Sequence, residues 1–325
     1  MKVLREFESH LFRQIILFSH LEAAMNINQK IILGAGSALL SLSSLALAQA
    51  NTESLVPKSA FFAGLGASQN RLNFNNQQTW GMGTTYAPAG PNNPLITGAA
   101  GGGTGVNLSS QNSFAPSVQL GYFSRFKDTD YLWGAKFSYS YLGVTSEVRN
   151  QLIPQGGGYT NASGGYSTFT GNYLVRSYQQ TIKNQISFTP FIGQAFSKGY
   201  LYAGAGPSLS QVKTNISGIT GFADIFGIPS NISGTLQTYS DTQWVVGGSA
   251  TVGGTYYFDS SYFLDLNFSY TQTKNNTANW GGPWSKRGIW SPGGFNHVNY
   301  TGTNTGTSSG NIATQAITLT INKSF

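Results

Sequence analysis

Cysteine is absent, charge is scarce, and no long apolar run occurs beyond the N-terminal region. With no cysteine in the chain, disulfides and thiolate-bound metals are excluded. Only 9% of the 325 residues are charged, against roughly 25% in an ordinary soluble domain. Histidine is nearly as rare, with His297 the only one beyond residue 50. No acidic residue lies between Lys274 and Phe325, so neither Ser285 nor Ser291 has a local histidine–acid relay, which nucleophilic hydrolysis by such a set requires. No cluster of His, Cys or carboxylates suggests a metal. The glycine runs follow no strand-to-helix pattern that could cradle a phosphate. No apolar stretch after residue 50 approaches the ~20 residues of a membrane helix. What remains is abundant glycine (41), 14% aromatics and a formal charge of +7.

Ile312 to Phe325 is the clearest element. Ala313, Gln315, Ile317, Leu319, Ile321 and Phe325 alternate with Thr314, Ala316, Thr318, Thr320, Asn322 and Ser324. Period-two alternation predicts a strand with one apolar and one polar face. It is long enough to cross a bilayer, which takes roughly 9–11 tilted residues.

At the other end, Lys30 precedes an apolar run from Ile31 to Leu47, followed by Ala48-Gln49-Ala50. A basic lead, an apolar stretch and a small-x-small site predict a secretory signal peptide over residues 1–50. A membrane anchor is the competing reading. Met25 stands close to Lys30 and is the expected initiator, with residues 1–24 an over-long start. The mature chain is then residues 51–325.

Seven further strand-like segments precede the last one, at about 60–74, 114–126, 131–144, 173–196, 200–214, 242–258 and 262–273. The third carries Tyr131, Trp133, Ala135, Phe137, Tyr139 and Tyr141 on one face, with Gly134, Lys136, Ser138 and Ser140 opposite. The fourth places Ile182, Ile186, Phe188 and Ile192 in one register, with a bulge or bend expected at Pro190. Connections alternate long and short. The long ones, about 75–113, 145–171, 215–240 and 274–311, read as loops by composition. Ile219, Phe222, Ile225, Phe226 and Ile228 in the third suggest a short helix or packed cap. Trp280, Trp284, Trp290 and His297 fall in the fourth.

Eight strands with short turns at one end predict an all-β, transmembrane, up-and-down antiparallel barrel with four long extracellular loops. Closure would pair every backbone group, as hydrocarbon demands. A soluble barrel is the alternative, but there the apolar rows would face inward. Eight strands leave a bore that side chains roughly fill, so a wide pore is not expected. Lys136 and Asp265 fall on the inferred lumen face, and Arg125 with them. They either pair there or are solvated by lumen water.

A terminal Phe325 behind alternating Leu319 and Ile321 resembles the C-terminal signature of bacterial outer-membrane barrels, with Lys323 a departure from that pattern. The mature chain as a whole resembles the eight-stranded OmpA-like and opacity-type outer-membrane superfamily. That resemblance implies Phe325, Ile321 and Leu319 as an assembly signal for the outer-membrane assembly machinery. It implies outer-membrane lipid and lipopolysaccharide as surroundings, and a monomer without cofactor, nucleic acid or catalytic residues. The expected role is a surface protein whose loops bind a host or surface ligand. A small porin-like channel is the alternative, and a lipid A-modifying barrel enzyme a further one. With no segment after the last strand, no cell-wall-binding domain is expected.

Overall fold

The computed structural model describes residues 54–88, 95–160, 164–225, 228–234, 236–290 and 296–325. The expected signal peptide and Met25 lie outside them. Among the described residues there is no helix, and every regular element is a strand. These are β1 (Ser59–Pro88), β2 (Leu95–Gly105), β3 (Gln111–Arg125), β4 (Tyr131–Thr160), β5 (Tyr166–Phe196), β6 (Gly199–Ile225), β7 (Ile228–Asn231), β8 (Gln237–Tyr257), β9 (Tyr262–Thr273), β10 (Asn276–Trp290) and β11 (Asn296–Ser324).

These eleven segments make eight staves. β1 pairs β3 in its lower half (Leu72↔Gln111) and β2 in its upper half (Gln78↔Gly105), so β2 and β3 are one broken stave. β11 likewise pairs β9 below (Ala313↔Gln272) and β10 above (Asn276↔Gly310). β7 is a short return strand on β6. The ring runs β1, β3, β4, β5, β6, β8, β9, β11 with every neighbour antiparallel. It closes by β11 against β1, from Phe62↔Ser324 up to Tyr86↔Thr301. The fold is therefore an eight-stranded up-and-down antiparallel barrel.

In the lower half the alternation follows the sequence. Phe137 is 55% exposed, and Val246, Leu266 and Leu319 are each 49% exposed on the outer wall. Ser68, Asn70, Thr251, Thr320 and Asn322 are buried inside. An apolar outer band around a polar bore is the sidedness of a barrel that crosses lipid, the inverse of a soluble one.

Above this band the wall inverts. Tyr178, Ile182, Ile216 and Ile219 are fully or almost fully buried inside the barrel, together with Leu72, Val175, Val212 and Trp280. Thr145, Arg149, Arg176 and Lys183 stand outside. The upper tier thus packs a largely apolar core, interspersed with buried Gln180, Thr214 and Asn304, behind a polar coat. Bulges make the change of parity. On β1 the register slips between Asn75 and Gln78, with Asn76 at φ 52°; buried Leu72 and Phe74 give way to buried Gln77 and Thr79. On β5 it slips between Ile182 and Gln185. An extra residue re-aims every side chain beyond it.

Three sequence expectations are corrected here. The long connections emerge at one end as expected, but they are mostly strand. β1 continues to Pro88, β4 to Thr160, β6 to Ile225, and β10 and β11 fill most of 274–311. Outside lipid a strand needs no apolar outer row, so Gly, Thr and Asn suffice once a partner strand supplies the ladder. Of the short helix or packed cap expected in the third connection, there is no helix: it is the top of β6 with β7, and Ile219 packs into the tier's core. Ile182 and Ile192 also do not share a face. Ile182 is buried and Ile192 is 68% exposed, because the β5 bulge lies between them.

Inward glycines do not widen the bore. They receive rings. A Cβ on Gly121 would sit 2.3 Å from Phe62 Cζ, and one on Gly134 would sit 2.4 Å from Phe191 Cζ. With Phe123, Tyr200, Tyr257 and Phe263 these rings form an aromatic floor at the short-turn end. Phe191 and Tyr202 are 5.1 Å apart, and Tyr257 and Phe263 4.7 Å apart, distances of direct aromatic packing.

Candidate functional site

Between the aromatic floor and the apolar upper core lies a polar layer, and its centre is an ion pair. Lys136 is on β4 and Asp265 on β9, four staves apart in the ring of eight. Lys136 Nζ reaches Asp265 Oδ2 at 3.0 Å, with both side chains buried. Lys136 also donates to the Tyr202 hydroxyl (2.6 Å), which donates to Asp265 Oδ1 (2.8 Å). Gln119 Nε2 donates to Asp265 Oδ2 at 2.9 Å, and lies 2.8 Å from Thr320 Oγ1 and 2.7 Å from Asn322 Oδ1. The Lys136 ammonium also lies 4.7 Å from the centre of the Tyr202 ring. β3, β4, β6, β9 and β11 are thereby tied across the lumen. A desolvated pair tolerates burial only when further hydrogen bonds satisfy its remaining donors and acceptors, and Tyr202 and Gln119 supply them.

Arg125 stands apart. Its Nη2 donates to Ser54 Oγ (2.8 Å) and to the Val56 carbonyl (3.1 Å), and its Nη1 lies 3.7 Å from exposed Asp130. Leu55 N–H donates to the Ser197 carbonyl, and Val56 is buried against the aromatic floor. Arg125 therefore fastens the lead-in to β1 beneath the barrel instead of joining the lumen pair.

At the carboxyl end, Ile321 and Phe325 are 60% and 71% exposed on the lipid-facing side, beside Leu319. The Phe325 N–H donates to the Phe61 carbonyl at 2.8 Å, extending closure to the last residue. Lys323 lies against Phe325 and Tyr262, with Nζ 5.2 and 5.8 Å from the ring centres. Snorkelling of this kind lets a lysine occupy an apolar row near a head-group surface.

The upper tier is the barrel's second surface. Trp280 and Trp284 were expected in a loop, but both are buried inside, Trp280 beside Tyr239. A Cβ on Gly306 would sit 2.0 Å from the Trp280 ring. His297 lies in β11 opposite Ile289. Among the described residues, large apolar side chains exposed on the tier include Trp80, Met82, Tyr86, Leu152, Tyr166, Phe222 and Leu236, set among Thr, Asn and Gly. On the same wall Glu147 accepts from Ser177 (2.7 Å) and from Arg149 (3.1 Å). The Ser177 hydrogen bond first, then Arg149, holds its carboxyl below the usual glutamate value.

Sequence reasoning identifies Lys136 and Asp265 as lumen-facing but misses Tyr202 and Gln119. The available signal was parity. Tyr202 falls between Leu201 and Ala203, on the inward row with Tyr200, Gly204, Gly206 and Ser208, where an aromatic must fill the bore.

No family model matches the chain, and no curated protein matches it. Among solved structures it is similar to the outer membrane protein OprG from Pseudomonas aeruginosa (9% identity, 84% of this chain and 99% of that one, TM-score 0.35). It is similar to Ail, the attachment invasion locus protein of Yersinia pestis, in complex with the heparin analogue sucrose octasulfate (11%, 78% and 99%, TM-score 0.28). It is also similar to the outer membrane protease OmpT from Escherichia coli (9%, 82% and 97%, TM-score 0.27). Likenesses this distant carry no argument about activity.

Proposed function

We propose that the chain is a non-enzymatic protein of the bacterial outer membrane, whose barrel lifts a rigid binding surface above the lipid. The observation that carries this reading is the reversal of the wall. β4 and β5 each run about 16 residues beyond Val144 and Ile182. At ~3.3 Å per residue and ~40° tilt that is roughly 40 Å of barrel standing in water. A packed core that reaches Ile153 and Tyr173 stiffens the tier, so the outward Trp80, Tyr86, Leu152 and Tyr166 are presented with little ordering cost. Exposed aromatics on a rigid scaffold among adaptable polar groups suit recognition of another surface. Phe325, with Ile321 and Leu319, is the segment for the assembly machinery to take up.

Two experiments test the reading. Cells displaying the wild type are expected to bind host cells or matrix more strongly than cells displaying Trp80→Ser, Leu152→Ser and Tyr166→Ser together, at equal surface level. Equal binding by the two would remove the adhesive role. The channel reading gives a different result: steady discrete currents from refolded protein in a planar bilayer. The Lys136–Asp265 crossbar and the aromatic floor oppose such currents.

A further inference from the structure

The β5 bulge places two consecutive side chains on the same wall. Ile182 pairs Val212 and Gln185 pairs Ser210, so Lys183 and Asn184 together oppose Gln211. Asn184 is fixed outward. Its Nδ2 donates to Gln211 Oε1 (2.6 Å), and its Oδ1 accepts from the Tyr139 hydroxyl (2.8 Å). Lys183 is exposed beside it, and Lys213 follows two residues past Gln211 on the outward row of β6. Lys213 is flanked by Thr181 on β5 and Thr242 on β8, both uncharged.

No carboxylate forms an ion pair with either lysine among the described residues. Glu147, further up the same wall, is occupied by Ser177 and Arg149. Asp241 is on the inward-facing row and accepts from Gln243. Two cations on neighbouring strands therefore flank an anchored amide, and no ion pair neutralises them among the described residues.

Their height selects the ligand. Below them on the same outer face are Phe137, Ile186, Phe188, Ile192 and Leu209, the apolar band. Above them are Gln179, Asn215 and Arg149. The lysines stand where the wall changes from apolar to polar, which is the head-group level of the leaflet facing the upper tier.

We propose that the Lys183–Asn184 bulge and Lys213 form a docking site for the phosphate of a glycolipid head group in that leaflet. The proposal rests on the membrane reading above and deepens it. Ammonium groups bind phosphate as point charges, and the anchored Asn184–Gln211 pair spaces them apart. Acyl chains of the same lipid then lie along Ile186, Phe188 and Leu209.

The test uses the full-length barrel in detergent, titrated with bisphosphorylated lipid A or its dephosphorylated form and followed by native mass spectrometry. The wild type is expected to retain the phosphorylated form preferentially. Lys183→Gln with Lys213→Gln is expected to lose about thirtyfold of that preference, from the attraction of two basic groups to an anionic leaflet. Lys127→Gln with Lys198→Gln, the same charge change in the short turns at the opposite end, is expected to keep it. None of the four lysines is buried, Lys213 being half-exposed and the others exposed, and heat-modifiable migration on gels checks that each variant is folded. Undiminished preference in the Lys183/Lys213 variant overturns the site. Displacement of the lipid by millimolar inorganic phosphate overturns the lipid assignment. A chain that inserts into membranes without discriminating the two lipids overturns this proposal alone; one that inserts into none overturns the membrane reading as well.

Discussion

Lys136 and Asp265 sit on staves four apart in a ring of eight, so their 3.0 Å contact spans the bore from wall to wall. Few placements could tie the two sides of the barrel together with a single pair. Five staves share the resulting network, and removing one charge leaves the other stranded among buried groups.

Asp265→Asn is therefore expected to destabilise the barrel by roughly 3–5 kcal/mol, the cost of an unpaired buried charge. Lys136→Met combined with Asp265→Leu is expected to recover most of that loss, because no charge is left to desolvate. Urea unfolding in micelles, followed by tryptophan fluorescence, measures both. An unchanged midpoint for Asp265→Asn would show that water, not the protein, solvates Lys136.

The aromatic floor depends on missing side chains. Gly121→Ala is expected to cost about 1–3 kcal/mol by overpacking, since its Cβ would meet Phe62 Cζ at 2.3 Å and the Ala135 carbonyl at 2.7 Å. Adding Phe62→Leu should return part of the loss, the part due to the ring. A double variant no more stable than the single would place the whole effect in the backbone contact.

Absence of cysteine makes the inverted wall directly testable. Phe137→Cys and Leu266→Cys are expected to resist a membrane-impermeant maleimide in intact membranes and to react after denaturation. Thr145→Cys and Arg176→Cys are expected to react in intact cells. Labelling of Phe137→Cys at the rate of Arg176→Cys would refute the lipid-facing band.

Glu147 gives a pH signature outside the bilayer. Its carboxyl is held low, first by Ser177 and then by Arg149, so the charged form is favoured in the folded state. The contact is then fully present above the ordinary glutamate range and is lost as pH falls through the lowered folded value. In a carboxyl chemical-shift titration, Ser177→Ala should raise the Glu147 midpoint, and Arg149→Gln should raise it too. A midpoint unmoved by Ser177→Ala would show that the hydroxyl contact does not set it.

Where lipid imposes a strict rule, the sequence could be read closely. Trp244, Val246, Val252 and Tyr256 alternate with Ser249, Thr251 and Thr255 because one row meets hydrocarbon and the other the bore. The same rule identified Lys136 and Asp265 as inward. Above the lipid the constraint relaxes, and Gly, Thr and Asn in β2, β10 and upper β11 look like loop. Their partners across the ladder make them strand. Bulges were the second blind spot. One extra residue at Asn76 or at Lys183–Asn184 changes the facing row without changing composition. That is why Ile182 and Ile192 looked equivalent, and why the Lys183 site was invisible.

The seam between β1 and β11 fixes when the molecule can come into being. The first stave of the ring must wait, one flank bare, until the eighth arrives beside it. Chains lacking the eighth stave are therefore expected to clump instead of yielding a narrower cylinder, and something must hold the nascent sheet open until that stave is in place.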